Sequence, residues 1–345
     1  MENPCLTFVT PTLLAGDRSL TNVVAHGIAH SWTGNLVTCL TWEHFWLNEG
    51  FDVFLERKIL RRLTGDAIYE LHKDVGKVTL WKTVVRIGEG HNFTQLVPNL
   101  SGGKDPDDAF SQIPYEKGFY FICYLEALAG GAAAFMPWFK DIWLGGTSRS
   151  VTSEDLRRSY SEAFPRAAAK VDWNSWFFTP GFPTLGATAS VESQYASALG
   201  AASIALARSW RAADEKDLSK LGLPDDIAGW STNQMVLFLD ELSKEKLTLA
   251  KCKRLGEVYS LTKSRNCELR LLWYEIAIAA EYREERMAAA AFATEQGRMK
   301  FVRPVYRALC KSSSGRQLAL DTFAEYRSSY HPICRKMIES DLELV

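Results

Sequence analysis

His26 and His30 stand four residues apart in a stretch whose pattern predicts a helix, and Glu49 lies on the next predicted helix. Residues i and i+4 of an α-helix project from one face, so both imidazoles can contact the same metal ion. A carboxylate folded back from the following helix would be a third ligand and leave the fourth position of a tetrahedral zinc ion open. Glu56, two turns beyond Glu49, would orient a ligand histidine without binding the metal itself. A His-x-x-x-His pair alone is weak evidence, because two polar residues on a helix edge give the same pattern.

Other segments, spread over the whole chain, support the metal-site interpretation: "MENPCLTFVTPTLLAG" at the start, "HSWTGNLVT", "FWLNEG", "IPYEKGF", "VDWNSW" and "ATEQGRMKFVRP". Together with the histidine spacing they resemble the M1 family of zinc aminopeptidases, gluzincins with the signature H-E-x-x-H-x18-E. Within it they are most similar to the leukotriene A4 hydrolase and aminopeptidase B branch. The resemblance implies a hydrolase that holds one Zn²⁺ on His26, His30 and Glu49 and acts on peptide N-termini or small carboxylate substrates.

The resemblance also implies roles for five residues outside the metal triad. Glu2 would bind the free α-amine of a peptide, Tyr115 would stabilise the oxyanion of the tetrahedral intermediate, and Asp107 would line the pocket for the first side chain. Arg298 and Lys300 would hold a substrate carboxylate, a task that suits a guanidinium beside an ammonium. Judged by residue type alone, these positions are more often a frayed terminus, a core tyrosine, an acidic turn and a solvated basic face.

Gly27 departs from the family pattern directly after the first histidine. The resemblance implies a glutamate there, which takes a proton from the attacking water and passes it to the leaving amine, work usually worth about 10²–10⁴ in rate. Glycine can do neither, and it costs a helix interior about 0.5–1 kcal/mol relative to alanine. One interpretation is close approach of another backbone at Gly27. The interpretation we favour is loss of a catalytic base, with Glu2 as the first candidate to replace it.

Composition excludes several classes of partner. With 40 basic and 41 acidic residues the net charge is −1, so the chain has no field that attracts nucleic acid or an anionic membrane. The seven cysteines are scattered and never form a C-x-x-C pair, which indicates reduced thiols. No apolar run approaches the ~18 residues of a membrane span, and the start lacks the positive charge of a signal peptide. We predict a cytoplasmic protein.

Helical periodicity dominates the chain after one short strand predicted at 6–10. Predicted helices of the first half are 19–32, 45–63, a third following Asp66, 115–128, 132–144 and 154–164. Those of the second half are 195–211, 234–244, 249–261, 268–282, 284–295, 302–310 and 317–329. Short helices in pairs with short joints are typical of helical solenoids, although no repeated sequence motif is evident.

The predicted fold class is therefore mainly α. A partial thermolysin-like metallopeptidase domain at 1–178 is followed by a Pro/Gly/Ser/Thr linker at 179–193 and an armadillo-like helical domain at 194–345. The resemblance implies that the family's N-terminal β-domain and most of its catalytic sheet are missing from this chain. Helices that pack on that sheet would expose apolar surface, so we expect self-association or a protein partner that covers it.

Three functions are compatible with these residues. The favoured one is a zinc-binding aminopeptidase homologue whose hydrolysis is abolished or very weak because Gly27 replaces the base. The second is a weakly active enzyme in which Glu2 moves the proton. The third is a helical protein-interaction module in which the first half is a remnant.

Overall fold

The computed structural model describes residues 2–145, 147–182 and 197–344. The chain divides into two compact units, one formed by Met1–Val9 and Thr21–Ser197 and the other by Thr10–Leu20 and Ala198–Val345. The predicted linker falls mostly on residues 183–196, which lie outside the described residues.

Helices form most of the first unit. They are α1 (Thr21–Ala29), α2 (Trp46–Thr64), α3 (Asp66–Ile87), α4 (Gly118–Leu128), α5 (Ala132–Phe139), α6 (Ser153–Ala163), α7 (Pro165–Ala168) and α8 (Trp173–Phe178). A π-helical turn, Ile113–Lys117, leads directly into α4. Strands β1 (Val37–Cys39) and β2 (Arg149–Val151) pair in parallel, with Val37 opposite Arg149.

Helix α2 is the centre of the first unit and packs against α1, α3 and α4. Its apolar side chains Trp46, Phe51 and Phe54 are fully buried in an aromatic core. The same helix also buries polar side chains, namely Asn48, Glu49, Asp52, Glu56 and Arg57. Burial of charged groups is expensive unless they are paired or hold an ion, so this polar stripe marks a candidate functional region.

Helices also form the second unit, with its own core. They are α9 (Ala198–Ala212), α10 (Thr232–Leu242), α11 (Leu249–Val258), α12 (Cys267–Ala279), α13 (Arg283–Glu295), α14 (Met299–Lys311), α15 (Arg316–Tyr326) and α16 (Pro332–Asp341). Consecutive helices from α12 to α15 pack on one another around buried residues such as Trp273, Phe292 and Tyr306. The mainly helical fold predicted from periodicity is confirmed.

The strand predicted at 6–10 is wrong. Those residues have no strand partner among the described residues, and Thr7 instead donates its hydroxyl to the carbonyl oxygen of Gly27 at 3.2 Å. Sequence periodicity also overlooked α16 and the three-residue strands β1 and β2, because so short a strand carries almost no alternation. Among the described residues no single helix is long and apolar enough to cross a membrane. The helical segments Ile113–Leu128 and Ala132–Trp143, bent by 117° relative to each other, would together reach the length and apolar composition of a membrane span.

Candidate metal centre

Helix α1 carries His26, and His30 follows directly after its last residue, so the helix predicted to extend through Trp32 ends before the second histidine. The two rings still lie side by side, with centroids 4.6 Å apart. The Nδ1 atom of His30 lies 2.8 Å from the carbonyl oxygen of Thr33. Because a carbonyl only accepts, His30 must carry its proton on Nδ1 and leave the Nε2 lone pair bare. The Nδ1 atom of His26 hydrogen-bonds Glu56 Oε2 at 3.1 Å, which leaves its Nε2 bare in the same way.

Helix α2 supplies three carboxylates, from Glu49, Asp52 and Glu56, at positions i, i+3 and i+7 of one face. Glu49 approaches the Nε2 side of the imidazoles, whereas Asp52 and Glu56 approach the Nδ1 side. Asp52 Oδ2 lies 2.6 Å from His26 Nδ1, and Asp52 Oδ1 lies 3.5 Å from His30 Nδ1. The two helices therefore enclose the histidines between carboxylates on both sides.

Three acceptor atoms converge in front of the imidazoles. The two Nε2 atoms are 3.1 Å apart, and Glu49 Oε2 is 3.5 Å from that of His26 and 3.3 Å from that of His30. Ligands on a tetrahedral ion with bonds of about 2.0–2.1 Å stand about 3.3 Å apart, which is this spacing. Glu49 Oε2 is buried without a hydrogen-bond partner among the described residues. Three lone pairs facing one another call for a cation between them, so the residues fit a zinc ion.

When no cation is bound, protons on the histidines supply the positive charge. Burial lowers the pKa of His26, but contacts with Asp52, Glu49 and Glu56 outweigh it and raise that pKa well above its usual value. Burial likewise opposes charge on His30, and Glu49 raises its pKa. Burial alone raises the pKa of Glu49, yet the two imidazoles lower it to about 2. The pocket thus favours positive charge in front of a negative carboxylate.

Asp52 was not anticipated from the sequence. His26, His30 and Asp52 each have one ligand atom within 4.8 Å of the other two, so these three residues could also contact one ion. The Nε2 side is the better cation position, because the Nδ1 atoms carry protons toward Thr33 and Glu56. The sequence signal for Asp52 is its position three residues after Glu49, on the same face of α2.

Gly27 is buried on α1 and carries no side chain into the site. A β-carbon built there would lie 2.6 Å from Cγ2 of Thr7, closer than carbon atoms pack, so Thr7 would have to move. The close neighbour is therefore a side chain, whereas the sequence interpretation named a backbone. Both interpretations of Gly27 retain support, since the position is tightly packed and also lacks a carboxylate.

Tyr115 lies in the π-helical turn beside the metal centre. Its ring stacks with that of His26 at a centroid distance of 6.2 Å. Burial and the negative charges of Glu49 and Glu2 raise the Tyr115 pKa well above its usual value, so the phenol keeps its proton and can donate it to an oxyanion. Glu2 is partly buried, and its carbonyl accepts a 2.6 Å hydrogen bond from Asn35.

Asp107 is exposed in a 3₁₀ turn, Pro106–Ala109, whose first residues are ordered by the side chain of Asp105. Phe110 follows this turn, and its ring packs edge-on against the ring of Tyr115 at a centroid distance of 6.3 Å. This loop therefore lies near the oxyanion candidate, while Asp107 itself makes no contact with the histidines among the described residues.

Arg298 and Lys300 belong to the second unit, at the start of α14. Lys300 Nζ forms an ion pair with Glu268 Oε1 at 2.5 Å, and Arg298 Nη1 lies 3.5 Å from Thr12 Oγ1. Both cations stand over the ring of Phe301. Of the two cations, the Lys300 ammonium is therefore engaged by a carboxylate and the Arg298 guanidinium by a neutral hydroxyl.

Lys117 is a buried residue to which the sequence analysis gave no role. Its ammonium donates to the carbonyl oxygens of Thr94, Thr179 and Gly181 at 2.9, 2.9 and 3.0 Å. These bonds connect the turn that carries Tyr115 to two other segments, one at Thr94 and one at residues 179–181. The signal in the sequence is the lysine of the "IPYEKGF" motif, directly before the apolar start of α4.

Two family models match this chain. The peptidase family M1 domain matches residues 1–176, and the leukotriene A4 hydrolase C-terminal model matches residues 230–342. The first match spans just over half of the chain, so the chain belongs to peptidase family M1. Members of this family, leukotriene A4 hydrolase included, are zinc metalloenzymes.

Relatives with established names are similar along the whole chain. Leukotriene A-4 hydrolase of Xenopus laevis is 43% identical over 348 residues, covering 100% of this chain and 56% of the relative. Leucine aminopeptidase 2 of Sclerotinia sclerotiorum is 40% identical over 353 residues, covering 99% and 55%. The structure of yeast LTA4 hydrolase in complex with bestatin superposes with a TM-score of 0.91 at 35% identity, covering 99% and 57%. This chain thus spans about half the length of the relatives it matches.

Proposed function

We propose that this M1-family protein binds one zinc ion through His26, His30 and Glu49 but hydrolyses peptides very weakly. The observation that carries the proposal is the convergence of three bare acceptor atoms at 3.1, 3.3 and 3.5 Å in a buried pocket. Zinc held there would supply Lewis-acid chemistry, polarising a peptide carbonyl and acidifying water.

The chain's own residues can perform part of the reaction. Tyr115 keeps its proton and would donate a hydrogen bond to the developing oxyanion, an interaction typically worth about 10²–10³ in rate. Glu2 would bind the substrate amine, and Asp107 would line the pocket for the first side chain. Arg298 and Lys300 would hold a substrate carboxylate. Substrates would be peptide N-termini or small carboxylate compounds, in a cytoplasmic setting.

The missing function is proton transfer from the attacking water to the leaving amine. Gly27 offers no titratable group, and Asp52 and Glu56 face the opposite side of the imidazoles. Loss of a general base usually costs about 10²–10⁴ in rate, and more when the group works as part of an interdependent set.

The test begins with the unmodified protein and a measurement of bound zinc. Hydrolysis of arginyl and alanyl aminopeptidase substrates is then compared with that of Gly27→Glu. Because a side chain at position 27 meets Thr7, the variant Gly27→Glu/Thr7→Ser gives the new carboxylate more room. We expect one zinc per chain and a rise in turnover of at least about 10²-fold in a glutamate variant. Family-level turnover by the unmodified protein would refute the proposal.

Glu2 gives a second candidate function, a slow enzyme with a substitute base. Its negative charge contributes to the raised pKa of Tyr115, which supports a position for Glu2 near the site. Under this alternative, Glu2→Gln abolishes the residual turnover of the unmodified protein while zinc content stays the same. An unchanged residual rate rules the alternative out.

A non-catalytic interaction role is the third candidate. Apolar side chains on the outward side of α1, Val24 and Ile28, are 46% and 52% exposed, as expected for a surface that self-association or a protein partner covers. Sedimentation velocity over a range of concentrations tests self-association. A partner bound by helices α9 to α16 would still bind after deletion of residues 1–180. Loss of binding on that deletion would count against the interaction-module function.

A further inference from the structure

Asp52 is a buried carboxylate that lies outside the metal-ligand signature. It is fully buried on α2, three residues after Glu49, and its two oxygens face the Nδ1 atoms of both histidines at 2.6 and 3.5 Å. Its side chain therefore contacts the ligand histidines on the side opposite to the ion pocket.

Thr33 connects Asp52 to the second histidine. The Thr33 hydroxyl donates to Asp52 Oδ1 at 3.0 Å, while the Thr33 carbonyl accepts from His30 Nδ1 at 2.8 Å. Thr33 is itself fully buried, so this arrangement is shielded from water. Asp52 and Thr33 together hold the imidazoles on their Nδ1 side. Asp52 contacts His26 directly and acts on His30 through Thr33.

An ionised carboxylate can only accept hydrogen bonds. Asp52 and Glu56 both approach His26 Nδ1, so each requires the proton on that nitrogen and leaves Nε2 for the ion. An uncharged amide in place of Asp52 could donate to Nδ1 instead, which would move the imidazole proton to Nε2 and remove a ligand.

Asp52 also bears a charge that needs compensation. Among the described residues, the polar groups that contact it are His26, His30 and Thr33, with no lysine or arginine. A buried carboxylate without a cation is costly, and a divalent ion on the far side of the imidazoles reduces that cost.

We propose that Asp52 is a positioning residue that strengthens divalent-cation binding by fixing the orientation and tautomer of His26 and, through Thr33, of His30. This inference rests on the proposed metal site. It assigns to Asp52 no contact with substrate and no proton transfer.

The experiment measures Zn²⁺ affinity by competition with a chromogenic chelator for the full chain and for Asp52→Asn, Asp52→Glu and Asp66→Asn. Asp66 is a matched control, an exposed aspartate at the start of α3 paired with Arg61. We expect Asp52→Asn to weaken zinc binding about 10–100-fold, Asp52→Glu to restore part of the loss, and Asp66→Asn to bind like the unmodified protein.

A second readout separates positioning from a purely structural role. Thermal unfolding of each protein is measured without metal and with saturating Zn²⁺. For Asp52→Asn we expect the zinc-induced increase in melting temperature to be smaller than in the unmodified protein.

The outcomes are distinguishable. If the unmodified protein does not bind zinc, both the metal site and the role of Asp52 are overturned. If it binds zinc and Asp52→Asn binds within twofold of it, only the role of Asp52 is overturned. An equal fall of both melting temperatures with unchanged affinity also contradicts positioning, since it indicates a structural role.

Discussion

Thr7 and Gly27 meet at the position where the resemblance to the M1 family implies a catalytic glutamate. The threonine methyl lies 2.6 Å from the position of a β-carbon on Gly27, while its hydroxyl donates to the Gly27 carbonyl. The glycine thus lets an extended segment lie directly against α1, next to two metal-ligand candidates. The lack of a side chain at position 27 therefore affects both the packing against Thr7 and the supply of a general base.

Gly27→Ala tests the packing. Alanine favours a helix over glycine by about 0.5–1 kcal/mol, but overpacking a tight contact costs typically 1–3 kcal/mol. We expect Gly27→Ala to lower the free energy of unfolding by about 1 kcal/mol, measured by urea denaturation. Thr7→Ser removes the methyl and keeps the hydroxyl, so Gly27→Ala in that background should stabilise the protein. A stabilising effect of Gly27→Ala alone would show that Thr7 moves away freely.

His72 on α3 predicts a pH dependence of stability. Burial, aided by the nearby Arg57 guanidinium, lowers the pKa of His72 to about 4. The unfolded chain takes up a proton near pH 6.5, so the contribution is intact above that pH and is lost as the pH falls toward 4. We expect the unmodified protein to lose about 1–2 kcal/mol more than His72→Gln between pH 7 and 5, measured by denaturant unfolding. Parallel losses in the two proteins would contradict this assignment.

At the scale of single residues, the sequence predicted the histidines and Glu49 because helical spacing and the family signature determine which side chains share a face. The role of Asp52 could not be predicted in this way. It depends on which imidazole nitrogen faces which helix, and on Thr33, a turn residue whose hydrogen bonds form only after α1 and α2 have packed.

Helix α2 combines an aromatic face with a stripe of buried charge. Arg57 is the cation of this stripe, and its Nη2 atom donates to Glu116 Oε1 at 2.8 Å while the guanidinium stands 4.2 Å from the centre of the Phe119 ring. Gly76 on α3 packs directly against the pair. A β-carbon on Gly76 would overlap Glu116 Oε2 and lie 2.6 Å from Arg57 Nη2.

Gly76→Ala should therefore destabilise the protein although alanine favours helices. Displacing a buried ion pair leaves charges uncompensated, and we expect a loss of about 1–3 kcal/mol in the free energy of unfolding. Gly90→Ala is the matched control, since nothing lies within 4 Å of a β-carbon at that position. Equal stabilities for the two alanine variants would mean that Glu116 swings aside at no cost.

Element boundaries illustrate what periodicity can predict. Helices α2 and α6 begin within a residue of their predicted starts, and α6 carries the predicted cap between Thr152 and Asp155. The predicted strand at 6–10 failed because an apolar, β-branched segment forms a strand only where a neighbour offers hydrogen bonds. Here its threonine is bonded to a helix carbonyl.

At the scale of the whole molecule, two compact units each contain a separate hydrophobic core. The proposed zinc ligands all lie in the first unit, on α1, on the residue directly after it, and on α2. Zinc should therefore stabilise the first unit preferentially. Hydrogen exchange with and without Zn²⁺ should show added protection in α1 and α2 and little change in α12 to α15, whereas uniform protection would place the ion elsewhere.

We propose, above all, that this chain has kept its metal ligands and lost its base. The most direct measurement compares aminopeptidase turnover per bound zinc in the unmodified protein and in Gly27→Glu/Thr7→Ser, with the metal content of both preparations determined. We expect one zinc per chain in each protein and turnover at least about 10²-fold higher in the glutamate variant. Equal turnover in the two proteins, or an unmodified chain that holds no zinc, would contradict it.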